Sequence, residues 1–509
     1  MALNMKKLAT LMAFMATSCC LSALELPEQL GDHAVLQQLA EVKLWGWASP
    51  EALVSVMPSW SSDKYDVKAD RHGRWSMRVL TPAGSYKSHS ITFVEGSDTI
   101  TIDDILIGEV WLAAGQSNME MPMIGFNSQP VEGAGRDIAR SGRLRDRVRM
   151  AYIVRGDKYE PQERIGGRWK VASPENTPYF SAQGFYFARE LNDLIDVPIG
   201  ILCVSYGGTQ IEGWLPRETL ERHGYDFEAM KAEKDRLPAY RYSTKYTSMI
   251  YPLIGYTIKG FLWNQGESNV SNPDRYCELL EEMVAQWRSD WGDTDNSLPF
   301  YQTENPGFGW GNPDAVFAAI VREQQNMAVK VIPNCGITCT NDLAYTYETD
   351  VIHGTRKREI GERMAWQVAE RQYGLKGMPW RSPEYSSMIK CDDGSVRIRF
   401  DNAEYGLTPN IGNVEGFEVA DVDGKFHKAE AVVDWNTPEV IVSCPDKISD
   451  IKHVRYCFKN FSCGNLKNSF GMPAVPFRTG KFSYISKFHI IISCKLIVYI
   501  VMCFYQETN

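Results

Sequence analysis

Gly115-Gln116-Ser117-Asn118 follows the apolar run at 110–114 and leads into a polar, helix-forming stretch. A serine on a strand-to-helix turn is placed to attack a carbonyl. Its own backbone N–H can face the developing oxyanion, and a helix N-terminus favours negative charge there. Serines after strands also commonly cap helices, so the turn alone leaves both readings open. A nucleophilic serine needs a base. Of eight histidines, only His353 has an acid three residues before it and helix-forming sequence soon after. In Asp350-Val351-Ile352-His353 both polar side chains can point into one site. The aspartate can then orient the imidazole and stabilise the imidazolium. A solvent-facing Asp–His pair is the alternative, and the apolar Val351-Ile352 between them argues for a turn packed on a core.

Two glycine-bearing segments lie between serine and histidine. Ser205-Tyr206-Gly207-Gly208-Thr209 and Trp263-Asn264-Gln265-Gly266-Glu267-Ser268-Asn269 each follow an apolar run. In an open α/β sheet, ligands sit beyond the carboxyl ends of the strands. A glycine N–H and an amide side chain there are suitable oxyanion donors. Taken singly, each segment also reads as an ordinary tight turn.

The elements that must position these residues fall into three regions. Residues 24–107 alternate apolar and polar in short runs with polar turns, such as 42–47 and 75–79, which predicts a small β-sandwich. Residues 108–377 carry buried, strand-like runs at 110–114, 199–204 and 258–263, separated by helical stretches at 185–194, 276–291 and 358–372. Such alternation predicts a parallel α/β sheet with helices on both faces. Residues 378–480 return to β alternation, at 396–400, 416–419 and 439–442. The tail at 481–509 is almost wholly apolar from 488 to 505. It reads as a segment with no role in the fold or, by length, as a membrane helix.

The net charge of −9 without a basic block argues against nucleic acid as a partner. Residues 1–23 have the Lys6-Lys7, apolar-core and Leu21-Ser22-Ala23 pattern of an export signal, so a secreted or periplasmic protein is expected. Cys19, after Ala16-Thr17-Ser18, is the alternative: a lipid anchor on the outer surface. Twelve cysteines do not form a dense disulfide framework in 509 residues. The spacings Cys335/Cys339 and Cys457/Cys463 would allow bridges in an oxidising compartment. Neither pair has the second pair of ligands that a zinc site needs, and no metal is expected.

The order of the four segments is far more specific than any of them. It resembles the four blocks of the SGNH hydrolases, and in particular the sialate O-acetylesterase family of carbohydrate acetylesterases. The resemblance runs through Gly108-Glu109-Val110-Trp111, Phe180-Ser181-Ala182, Ile211-Glu212-Gly213-Trp214, Lys357-Arg358-Glu359-Ile360-Gly361 and Pro473-Ala474-Val475-Pro476-Phe477-Arg478. It implies an SGNH-like parallel sheet flanked by helices between two β domains. It implies Ser117 as nucleophile, His353 as base and Asp350 as its orienting acid. The oxyanion donors would be the Ser117 N–H, Gly207 or Gly208, and Gln265, with Asn118, Asn264 and Glu267 facing substrate. Two positions depart from the family. Gly354 stands where proline usually follows the histidine, and Asn264 where tyrosine usually precedes the glutamine.

The implied activity is a cofactor-independent serine esterase removing acetyl groups from a carbohydrate, with O-acetylated sialic acid first among substrates. No stable protein partner is expected. A polysaccharide acetylesterase, on acetylxylan for example, is the alternative within the class. A non-catalytic carbohydrate-binding protein is the alternative outside it.

Overall fold

The computed structural model describes residues 24–233 and 235–480. The expected export signal with Cys19 and the apolar tail at 481–509 lie outside the described residues. One strand, Asp98–Gly115, organises the rest. Up to Asp104 it is largely exposed or half-buried, and from Ile105 to Gly115 every residue is buried. Its first part pairs antiparallel with Ser85–Glu95. Its second part lies parallel between Ile199–Ser205 and Gly260–Asn264. The change from partial to continuous burial is the change from a sheet with a wet face to a parallel sheet covered on both faces. The 107/108 boundary expected from sequence falls inside this unbroken strand.

The catalytic-region sheet runs in the order Cys335–Thr338, Phe300–Thr303, Gly260–Asn264, Asp98–Gly115, Ile199–Ser205, Val148–Tyr152, Trp169–Val171. All neighbours are parallel except the last pair. Ser117, Tyr206 and Gln265 therefore all follow the carboxyl ends of three adjacent strands. This is the SGNH-hydrolase-like α/β sheet, with β regions before and after it. In the first of these, Glu41–Trp47 and Arg74–Leu80 form a second small sheet. In the last, two four-stranded sheets and one two-stranded sheet enclose a separate apolar core.

Helices form close to their expected places, as Ala182–Ile195, Tyr276–Asp290 and Lys357–Tyr373. The last ends on Gly374 at φ 73, the left-handed stop expected from glycine there. A further helix, Phe317–Val331, lies outside the three helical stretches expected from sequence. The helices Lys357–Tyr373 and Ala182–Ile195 pack face to face, and Gly361 lets them approach. A Cβ on Gly361 would sit 2.6 Å from the Phe187 nitrogen and 2.9 Å from the Gln183 oxygen. This helix pair fixes the position of Lys357 and of the His353 turn just before it.

The C-terminal β region reaches back into the catalytic region. Asp342, buried upstream of the histidine turn, accepts two hydrogen bonds from Arg363, both at 2.8 Å, and one from Lys467 at 2.6 Å. Asn460 accepts from the Ala318 N–H at 2.9 Å, tying helix Phe317–Val331 to the same region. The eight described cysteines are all free thiols, so the bridges that the sequence spacing allowed do not form.

Gly361→Ala should force these helices apart at a backbone contact. Overpacking of this kind typically costs about 1–3 kcal/mol. The expected outcome is a lower urea midpoint at unchanged slope, as the histidine turn shifts with its helix.

Candidate active site

Ser117 opens a four-residue helix, Ser117–Glu120, directly after the central strand. Among the described residues the N–H groups of Ser117 and Asn118 have no acceptor, so both can still donate to an anion. Gly115, at φ 144, makes the turn: a Cβ there would lie 2.1 Å from the Asn264 carbonyl oxygen. The Gln116 N–H donates to that same oxygen at 2.9 Å, which locks the serine turn to the third segment.

Asn118 ties the segments together. Its Nδ2 donates to the Glu267 carboxylate and, at 3.1 Å, to the carbonyl oxygen of Ile352. Its Oδ1 accepts from the Lys357 ammonium. The residue after the serine thus holds the residue before His353. Ser117 and His353 are each 8% exposed. Among the described residues, no hydrogen bond joins the Ser117 hydroxyl to the imidazole.

His353 Nδ1 donates to Gln129 Oε1 at 2.7 Å, and its ring packs edge-on against Phe126. A carboxamide oxygen can only accept, so in the neutral ring the proton sits on Nδ1 and Nε2 carries the lone pair. Burial, and then the positive charge of Lys357, push the imidazole down to about 3. It is neutral near pH 7 and able to accept a proton.

Several expected roles change. Asp350 is exposed and, among the described residues, makes no side-chain hydrogen bond. The position on Nδ1 is held by Gln129, a residue the sequence did not single out. The Gly207 N–H is consumed by Glu120 Oε2 at 2.8 Å, so it is not a free oxyanion donor. The Gly208 N–H, at φ 74, has no acceptor among the described residues. Gln265 is fully buried, and both its N–H bonds are used, on the Thr209 carbonyl oxygen at 2.9 Å and Asn269 Oδ1 at 2.8 Å. Its oxygen accepts from the Tyr276 hydroxyl at 2.9 Å. It braces the loops from behind and does not face a substrate. Asn118, Asn264 and Glu267 are likewise 2% exposed and internally bonded. Asn264 donates to Gln183 Oε1 at 2.6 Å. They shape the site and do not line its open face.

Glu120 was also missed. It is 4% exposed and accepts from Tyr152 at 2.6 Å, Arg155 Nε at 2.8 Å and Gly207. The available signal was an acid set between two methionines, Met119 and Met121, just after the serine. Among the described residues, no group of three or more His, Cys, Asp or Glu side chains could hold a metal.

The chain is similar to known proteins over the region that carries these residues. The family described as carbohydrate esterase, sialic acid-specific acetylesterase, matches residues 107–370. A human sialate O-acetylesterase is 28% identical over 53% of this chain, and the match spans 54% of that protein's length. A mouse sialate O-acetylesterase is 23% identical over 88% of this chain and 93% of its own. A carbohydrate acetylesterase from Xanthomonas citri superposes with a TM-score of 0.79 at 30% identity, covering 90% of this chain and all of that one.

Because Gln265 is a brace, Gln265→Ala should act on stability. Stranding its buried partners typically costs about 1–3 kcal/mol. The melting temperature should fall while the turnover of the folded fraction stays within about twofold. A folded Gln265→Ala protein that has lost a hundredfold or more in turnover, the loss of about 2.7 kcal/mol expected of a missing oxyanion donor, would return the residue to the reacting centre.

Proposed function

We propose, from the premise that the chain belongs to the sialic acid-specific acetylesterase family of carbohydrate esterases, that it hydrolyses O-acetyl groups on a carbohydrate through Ser117. The observation that carries this reading is a serine with open N–H groups at a helix N-terminus, joined through Asn118 to the turn of a buried, neutral histidine. O-acetylated sialic acid is the substrate favoured by the family and by the names of the mammalian relatives. We also propose that the chain is exported and loses residues 1–23, which N-terminal sequencing of the mature protein tests.

In the proposed reaction, Ser117 Oγ attacks the acetyl carbonyl carbon as His353 Nε2 takes the hydroxyl proton. The carbonyl oxygen becomes an oxyanion held by the N–H groups of Ser117 and Gly208. Collapse breaks the bond to the sugar oxygen, which leaves with the proton from His353. Water then attacks the acetyl-serine by the same route, releasing acetate and restoring Ser117 and neutral His353.

The imidazole needs a different neighbour in each charge state. Gln129 suffices to orient the neutral ring, but a carboxamide carries no charge to offset an imidazolium. Asp350, the acid on the same turn, is proposed to take the Nδ1 position as the ring becomes charged, replacing the Gln129 oxygen.

Ser117→Ala should lower turnover of 4-nitrophenyl acetate by at least about a thousandfold with the fold intact. Wild-type enzyme should release acetate from O-acetylated sialic acid faster than from acetylated xylan. The reverse preference would move the substrate to plant polysaccharide, and no release from either would favour a binding protein.

Replacing the two imidazole partners separates their roles. Asp350→Asn should cost roughly a hundredfold in turnover, less than His353→Ala. Gln129→Ala should cost about tenfold, the loss of one neutral hydrogen bond. An Asp350→Asn enzyme as fast as wild type would leave Gln129 as the sole orienter.

A further inference from the structure

Lys357 is a cation where the fold gains little from one. It opens helix Lys357–Tyr373, four residues after the base, and is 2% exposed. No carboxylate forms a direct ion pair with it among the described residues. Its one hydrogen-bond partner is the oxygen of Asn118. The acids that face it come from separate segments. Glu267 lies beyond Asn118 on the third-segment turn, Glu348 comes from the loop before the histidine, and Glu304 lines the same small cavity from the end of strand Phe300–Thr303. Arg356, its neighbour in sequence, turns to Glu359 at 3.1 Å and to the Asp342 carbonyl oxygen at 3.0 Å. The cavity is about 30 Å³, room for a water molecule or two. It is lined by Asn118, Asn264, Glu348 and Lys357, while Ser117 and His353 are not among its lining residues.

A buried, singly bonded ammonium is costly unless neighbouring charge offsets it. Here it has two structural effects. It fixes which way the Asn118 carboxamide faces, since only the oxygen can accept from an ammonium. Nδ2 is thereby aimed at Glu267 and at Ile352. It also places a positive charge close enough to His353 to disfavour the imidazolium.

We propose that Lys357 is a positioning residue for the serine–histidine pair, acting through Asn118 to set the distance between them and through its charge to keep the base unprotonated between turnovers. The proposal rests on the esterase reading for its rate consequence, but not for its geometry. As the ammonium loses its proton near pH 8, both effects weaken together.

The test uses the full-length protein, with Lys357→Met as the uncharged, non-donating variant and Lys357→Gln as a variant that keeps an N–H donor without the charge. NMR titration of the His353 ring, assigned by its loss in His353→Gln, should show a higher imidazole pKa in both variants than in wild type. Turnover of 4-nitrophenyl acetate should fall at least tenfold in Lys357→Met and less in Lys357→Gln. A folded Lys357→Met protein with unchanged imidazole titration and turnover within twofold of wild type would overturn the proposal, even if its melting temperature fell. If neither variant folds, the wild-type protein decides. The Asn118 side-chain amide resonances and the His353 ring should shift together with a midpoint near 8, and the absence of that common midpoint would overturn it. The NMR readouts need no turnover, so a protein that releases no acetate fails the esterase reading and leaves this inference still decidable.

Discussion

The carboxamide of Asn118 is where the chain's separated segments meet. One planar group donates to Glu267 and to the Ile352 carbonyl and accepts from Lys357. Its neighbour Ser117 heads the short helix, Glu267 belongs to the third segment, and Ile352 and Lys357 flank the base. A carboxamide has a fixed donor end and a fixed acceptor end. The arrangement therefore has one orientation that satisfies all three partners, and the spacing of nucleophile and base follows from it. Glu120 does the equivalent work on the other side. It ties the serine helix to Arg155 and Tyr152 and uses up the Gly207 N–H.

This explains why so many polar side chains around the serine are buried. They form the frame of the site and leave little for the substrate to touch. In such an interior each unpaired polar group costs more than a paired one gains, so the network has to be closed to be tolerable. Among the described residues it is not fully closed: Glu267 Oε2 and Asn264 Oδ1 have no hydrogen-bond partner. Burial accordingly raises the pKa of Glu267 above the ordinary carboxylate value. Among the described residues the N–H groups of Ser117, Asn118 and Gly208 are unspent, and all three are backbone groups. Their directions are set by the fold and need no side-chain rotamer.

The architecture was largely legible because it is written in periodicity. Continuous apolar runs marked the parallel strands, alternation marked the flanking sheets, and Gly374 marked the end of helix Lys357–Tyr373. Helix Phe317–Val331 is amphipathic, but its buried side at Ala318, Val321, Arg322, Gln325 and Ala328 includes two polar residues, and no capping residue marks its start. Block order singles out the serine and the histidine. It does not give the direction of a side chain at a strand end. Leu262 and Trp263 fall into different apolar clusters on opposite faces of the sheet. The same alternation sends Asn264 toward Gln183 and Gln265 toward Tyr276. A motif gives residue order, whereas face is a matter of strand parity, so the motif alone does not show that Gln265 turns toward Tyr276. Gln129 was invisible for another reason: it reaches His353 from far away in sequence, and no local pattern marks it.

The bond from Lys467 to Asp342 has a consequence in time. Asp342 anchors Arg363 in the helix that carries Lys357, and the last of its partners in chain order, Lys467, comes more than a hundred residues after it. During synthesis the nucleophile emerges first, the base much later, and the residue that completes the support of the base later still. A chain truncated before Lys467 thus carries both nucleophile and base while lacking one of the contacts that steady the helix after the base.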